Sequence, residues 1–143
     1  MRATLNTIWT GDMKSSGTIQ AQHLEMPIAI PSEFGGSGDG TDPKSLLVAS
    51  AAACYAMTLV AILENRKVPV TKVTMESDAS DSKGSGIVVD HRPLVNLAAD
   101  ATQEQSDAAR SAFETADKAC AVGNLLKKAG VQIRIDGAVS VIG

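Results

Sequence analysis

The 143 residues suffice for one domain of ordinary size and exclude a multidomain enzyme. Hydrophobic residues make up 44%, yet the aromatics are only two Phe, one Trp and one Tyr, so packing must be aliphatic. Thirteen Lys and Arg against 16 Asp and Glu leave a formal charge of −3 with no basic block, which argues against a nucleic-acid partner. In chain order, Ala3 to Trp9 alternates as a strand does. A turn over Gly11 to Gly17 and a second alternating run, Thr18 to Leu24, predict a hairpin. A short extended piece, Pro27 to Ile30, leads into SEFGGSGDG, whose four glycines predict an irregular loop that shapes a site.

Asp42 suits a helix N-cap and Pro43 the first helical position, so a long helix is predicted from there to about Arg66 or Lys67, ending before Pro69. Alternation from Val70 to Ser77, a turn over Ala79 to Gly86 and alternation from Ile87 to Ala98 predict a second hairpin, with Pro93 at an edge or bulge. Thr102 and Gln105 form a capping box for a helix with Ala109, Ala112, Phe113, Ala116 and Cys120 on one face. Gly123 is expected to interrupt it, Asn124 to Ala129 to form a short further piece, and Val131 to Ile142 to return to strand with Gly137 at a bulge or turn. The order β β β α β β α α β, without repeat or linker, predicts a single α+β domain over residues 1–143, with antiparallel sheets packed on a long central helix.

That helix is apolar around its circumference from Leu46 to Leu63, long enough to be screened as a membrane span. Ser50, Cys54, Tyr55 and Thr58 interrupt it and strand-like sequence flanks it, so protein rather than lipid is the expected surrounding. One sheet covers one side only, and a second copy of the same helix is the simplest cover for the rest. A homodimer with a helix-centred interface is therefore expected. The N-terminus has no secretory pattern, so a cytoplasmic protein without a membrane partner is expected, with Cys54 and Cys120 free rather than in a permanent bridge.

A thiol reacts as thiolate, and Cys54 inside an apolar helix should by itself be raised in pKa and inert. It needs a cation or hydrogen-bond donors from another element. Cys120 lies at a helix junction, where a helix starting nearby could aim amides at it. His23 and His91 have no ligand spacing, so no metal is expected, and EFGGSGDG lacks the ending of a phosphate loop.

The string GTDPKSLLVASAAACYAMTL, preceded by PSEFGG and followed 66 residues after Cys54 by CAVGNLLKKAG, resembles the OsmC/Ohr family of thiol peroxidases. The first part is similar to the family's G-T-x-P-x-x-L helix start with an active cysteine about three turns in. The second is similar to its C-P-x-S-x junction, with Ala121 where Pro is usual. The resemblance implies an intertwined α+β homodimer of peroxiredoxin-like chemistry acting in oxidative-stress defence. Cys54 would be the peroxidatic thiol attacking an organic hydroperoxide, and Cys120 the resolving thiol. No bound cofactor is implied, only an external dithiol reductant. The family's activating Arg and Glu have no counterpart: no Arg stands between Arg2 and Arg66, and Lys44 and Ser45 occupy the helix start. Glu33, Arg92 and Lys44 are the candidate substitutes. The alternative is a non-enzymatic OsmC-like paralogue that binds an apolar small molecule at the dimer interface.

Overall fold

The computed structural model describes residues 2–82 and 86–142, and the chain divides between Leu47 and Val48 into two compact units. In the first unit β1 (Asn6–Thr10), β2 (Ser16–Ala21) and β3 (Leu24–Ile28) form an antiparallel meander in that order. The alternating run predicted as one strand from Thr18 to Leu24 is two, because the chain turns at Gln22 and His23. No glycine or proline marks that turn. Of the extended piece expected over Pro27 to Ile30, Pro27 and Ile28 are the end of β3, which begins at Leu24, and Ala29 and Ile30 lie beyond it.

The Gly-rich segment holds one 3-10 turn, Ser32–Phe34, and then folds back along the end of β3. Gly38 N donates to Ile30 O at 3.0 Å and Thr41 N to Pro27 O at 2.8 Å. A Cβ on Gly36 would lie 2.0 Å from the Ile30 carbonyl oxygen, so only glycine permits this return.

Helix α1 (Pro43–Asn65) starts as its sequence predicts. Asp42 Oδ2 accepts the Ser45 amide at 3.1 Å and Oδ1 the Ser45 hydroxyl at 2.5 Å, bonds that hold the Asp42 carboxyl below its usual range. The helix closes with Val68 N on Leu63 O at 3.1 Å and Lys67 N on Glu64 O at 2.9 Å, a Schellman pattern with Lys67 in the left-handed region at φ 58°. Pro69 lies just beyond, where a proline cannot continue the turn.

In the second unit α1 buries one stripe, Ala51, Tyr55, Leu59 and Leu63, spaced every fourth residue. Tyr55, Leu59 and Leu63 of the stripe pack with Val95 and Leu97 and with Ala109, Ala112, Phe113 and Ala116 in one apolar core. By length and composition α1 could cross a membrane, but its buried stripe belongs to this core. Arg66, just past its end, donates to Ala108 O at 3.0 Å, Ser111 Oγ at 2.7 Å and Thr115 Oγ1 at 3.1 Å.

The second sheet is built on the long hairpin of β4 (Val70–Ser82) and β5 (Gly86–Leu97). The turn predicted from Ala79 is strand as far as Ser82, with the exposed Ser80 and Asp81 paired to the aliphatic start of β5. Residues 83–85, the middle of that predicted turn, lie outside the described residues. Two parallel strands, β6 (Gln132–Ile135) and β7 (Ala138–Val141), pair with successive halves of β5 where one strand was expected. They separate at Asp136 and Gly137, opposite the stretch of β5 that holds Pro93. Pro93 is therefore in a central strand, but at an interruption of the ladder where a missing N–H is tolerated. A Cβ on Gly137 would sit 2.5 Å from the Phe113 ring, so the expected glycine bulge is also a close packing contact.

Helix α2 (Gln103–Ala119) has the full capping box: Gln105 N donates to Thr102 Oγ1 at 3.1 Å and Thr102 N to Gln105 Oε1 at 2.9 Å. Its predicted face is the one it buries. The interruption comes at Cys120, three residues before the expected Gly123, which instead lies buried inside α3 (Ala121–Lys128). These sheets and helices together make the α+β fold that the sequence predicts.

Candidate active site

Cys54 and Cys120, 66 residues apart, meet in the second unit. Cys54 is half-buried on α1, between the buried stripe and the exposed Ala53 and Met57. Cys120 is buried, as the last member of the apolar face of α2. Its backbone, at φ −72° and ψ 111°, is extended and serves as C-cap of α2 and N-cap of α3 at once.

This corner sets the electrostatics. A helix start leaves its first amides without partners inside the helix, and those of α3 are spent on sulfur. Burial pushes the Cys54 thiol up, but the Val122 amide, the Cys120 thiol and the Ala121 amide bring it below the ordinary thiol range. The donors that the sequence required from another element are thus two backbone amides and a second thiol. Cys120 goes the other way: burial raises it, the neighbouring Cys54 and Asp117 add to that, and only the Gly123 amide opposes. The junction amides expected to serve Cys120 serve Cys54 first. Of two adjacent thiols with opposite shifts, Cys54 is the readier to ionise and accept, and Cys120 the readier to keep its proton and donate S–H.

Behind the thiols lies a buried polar layer that sequence reasoning missed. The Tyr55 ring stacks on His91 with centroids 5.4 Å apart and planes inclined by 19°. Tyr55 Oη donates to the Phe113 carbonyl at 3.0 Å, and burial, Asp117 and Cys120 push its phenol up, so it stays protonated. His91 Nδ1 lies 2.7 Å from Ser77 Oγ, and burial pushes the imidazole down against the pull of Asp117 and Asp90. Thr58 Oγ1 donates to the Cys54 carbonyl at 2.7 Å, one turn along α1. A Tyr inside an apolar helix and a His in an aliphatic strand are the signals that could have found this layer.

Of the three candidate activating charges, Arg92 lies in the second unit, where its guanidinium is held by Glu76 at 2.7 Å and by Asp78. Both carboxylates raise it further. Glu33 lies in the 3-10 turn of the first unit and Lys44 in the first turn of α1. The groups that lower Cys54 are uncharged.

Residues 36–136 match the family model described as OsmC-like protein. The chain is 30% identical over 143 residues to the uncharacterized protein YmaD of Bacillus subtilis, covering 97% of this chain and 95% of that one. It is 34% identical over 98 residues to the organic hydroperoxide resistance protein of Xanthomonas axonopodis pv. citri, covering 64% and 68% respectively. Among solved structures, the organic hydroperoxide resistance protein OsmC of Legionella pneumophila superposes with a TM-score of 0.63 at 22% identity over 96% of both chains. The OsmC-like protein of Mycoplasma pneumoniae gives a TM-score of 0.70 at 15% identity, covering 98% of this chain and 99% of that one. Both structural likenesses are likenesses of fold.

Proposed function

This chain belongs to the family of OsmC-like proteins, and we propose that within it the chain is a cysteine-based peroxidase that reduces organic hydroperoxides. The supporting observation is the Cys54 sulfur, lowered in pKa by the Val122 and Ala121 amides and in contact with a protonated Cys120. The hydroperoxide-resistance role named for the Xanthomonas relative agrees with it.

The Cys54 thiolate attacks the terminal oxygen of the hydroperoxide. An S–O bond forms, the O–O bond breaks, and the departing alkoxide takes a proton to leave as alcohol. The Cys120 sulfur then attacks the Cys54 sulfenic acid. An S–S bond forms, the S–O bond breaks, and the hydroxide leaves as water with the Cys120 proton. An external dithiol reopens the bridge by exchange, consistent with a reducing cytoplasm as the place of action. Ala53 and Met57, exposed beside Cys54, favour an alkyl-bearing peroxide over hydrogen peroxide.

Stoichiometric cumene hydroperoxide added to reduced protein should give an intramolecular Cys54–Cys120 disulfide by mass spectrometry. Folded protein left unoxidised at Cys54 would end this reading in favour of a non-enzymatic paralogue that binds an apolar molecule.

The unit at work is a homodimer. Met57 is 73% and Val60 49% exposed on α1, with Ala53 and Ala61 exposed beside them, and a second copy of the helix is the cover of matching chemistry. Light scattering at micromolar concentration should give twice the chain mass, and a monodisperse monomer would refute this.

A further inference from the structure

The corner between α2 and α3 carries an ion pair that the chemistry above leaves unused. Lys127 Nζ lies 2.9 Å from Asp117 Oδ1 and 3.4 Å from the Asp117 carbonyl oxygen. Both side chains are largely withdrawn from water, at 33% and 25% exposure, unlike the ion pair Lys118–Glu114 on α2, at 74% and 77%. Asn124 Nδ2 adds a bond to Lys118 O at 2.9 Å. Each contact reaches from the last turn of α2 across Cys120 to α3. A helix of eight residues has little stability or direction of its own, so its axis follows its tethers. The amides of Ala121 and Val122 move with that axis.

We propose that the Asp117–Lys127 ion pair is a positioning device for the thiol site, closing the α2–α3 corner so that the Ala121 and Val122 amides stay on the Cys54 sulfur. This rests on Cys54 being the reacting thiol. The groups facing Cys54 are those two amides, Cys120 and Thr58. Asp117 faces Lys127, Cys120, Tyr55 and His91.

Positioning and plain charge make opposite demands on two variants. Lys127→Met leaves an unbalanced carboxylate, whereas Asp117→Asn removes a negative charge from beside the thiols. A charge effect alone would move Cys54 in opposite directions. A positioning device moves it the same way in both, toward the unreactive thiol. The measurement is iodoacetamide alkylation of the full chain against pH, resolved by cysteine with mass spectrometry, with circular dichroism to report folding. Each variant should slow Cys54 alkylation at pH 7 about three- to tenfold and shift its midpoint upward, and Lys127→Arg should restore it. Should a single variant fail to fold, Lys127→Arg and the charge-swapped Asp117→Lys/Lys127→Asp protein carry the test, both expected to alkylate within about twofold of wild type. Opposite shifts in the two single variants, an unchanged Cys54 profile in folded Lys127→Met, or a swapped protein that folds but alkylates slowly would each overturn the proposal. Alkylation needs no peroxide, so a Cys54 that alkylates fast but ignores hydroperoxide removes the peroxidase reading and leaves this one standing.

Discussion

Cys54→Ser should lower the single-turnover rate of hydroperoxide consumption by roughly a thousandfold or more, to the level of protein-free buffer. Serine keeps the shape and the α3 amides but offers a hydroxyl that does not ionise near neutral pH. Cys120→Ser separates the two roles. Its first turnover should stay within about tenfold of wild type, since Cys120 contributes one hydrogen bond to Cys54 among several, but the product should stop at sulfenic acid. Mass spectrometry should find one added oxygen on Cys54, trapped by dimedone. The pH profile carries the sign of the activation: because Cys54 lies below the ordinary thiol range, its rate should climb and level off at lower pH than that of an unperturbed thiol. Equal losses in both variants, with no trapped sulfenic acid in Cys120→Ser, would contradict the division of labour.

What was legible in the sequence was whatever depends on side-chain type at a fixed spacing. Asp42 followed by Pro43, the pair Thr102 and Gln105, and the apolar face ending at Cys120 each encode a local geometry, and each is found where it was predicted. The two cysteines stood out by scarcity, and the structure brings them together.

What was illegible falls into two kinds. The breaks at the Gln22–His23 turn and at the extended Cys120 use neither glycine nor proline and leave no compositional mark. Gly123 misled for the same reason, since its missing side chain serves contacts with Cys120 and Ile133 rather than a turn. The activation of Cys54 was hidden more deeply. Glu33, Arg92 and Lys44 stand out in the sequence by their charge, whereas the Val122 and Ala121 donors are main-chain amides, which every non-proline residue carries. Proline at position 121, usual in the resembled motif, would remove one of them. The alanine there keeps an N–H that this site uses.

Those amides meet the sulfur only while α1 presents Cys54 to the α2–α3 corner, and the buried stripe of α1 fixes that rotation. Leu59 is fully buried at the centre of the core, five residues after Cys54 and one turn after Tyr55. Truncating it removes apolar contacts and leaves a cavity among rigid neighbours. Leu59→Ala should therefore cost about 3 kcal/mol, within the 2–5 kcal/mol range for buried leucines. At this chain length that corresponds to a fall in Tm of roughly 10 °C, read by calorimetry or circular dichroism. The exposed Met57→Ala, two residues earlier, should change the stability of an isolated chain by less than about 0.5 kcal/mol. In the dimer proposed above it would lose a buried contact, so its cost should rise with protein concentration as association adds to stability. A Leu59→Ala protein that melts with wild type would mean that the stripe does not anchor α1, and the orientation of Cys54 would then need another support.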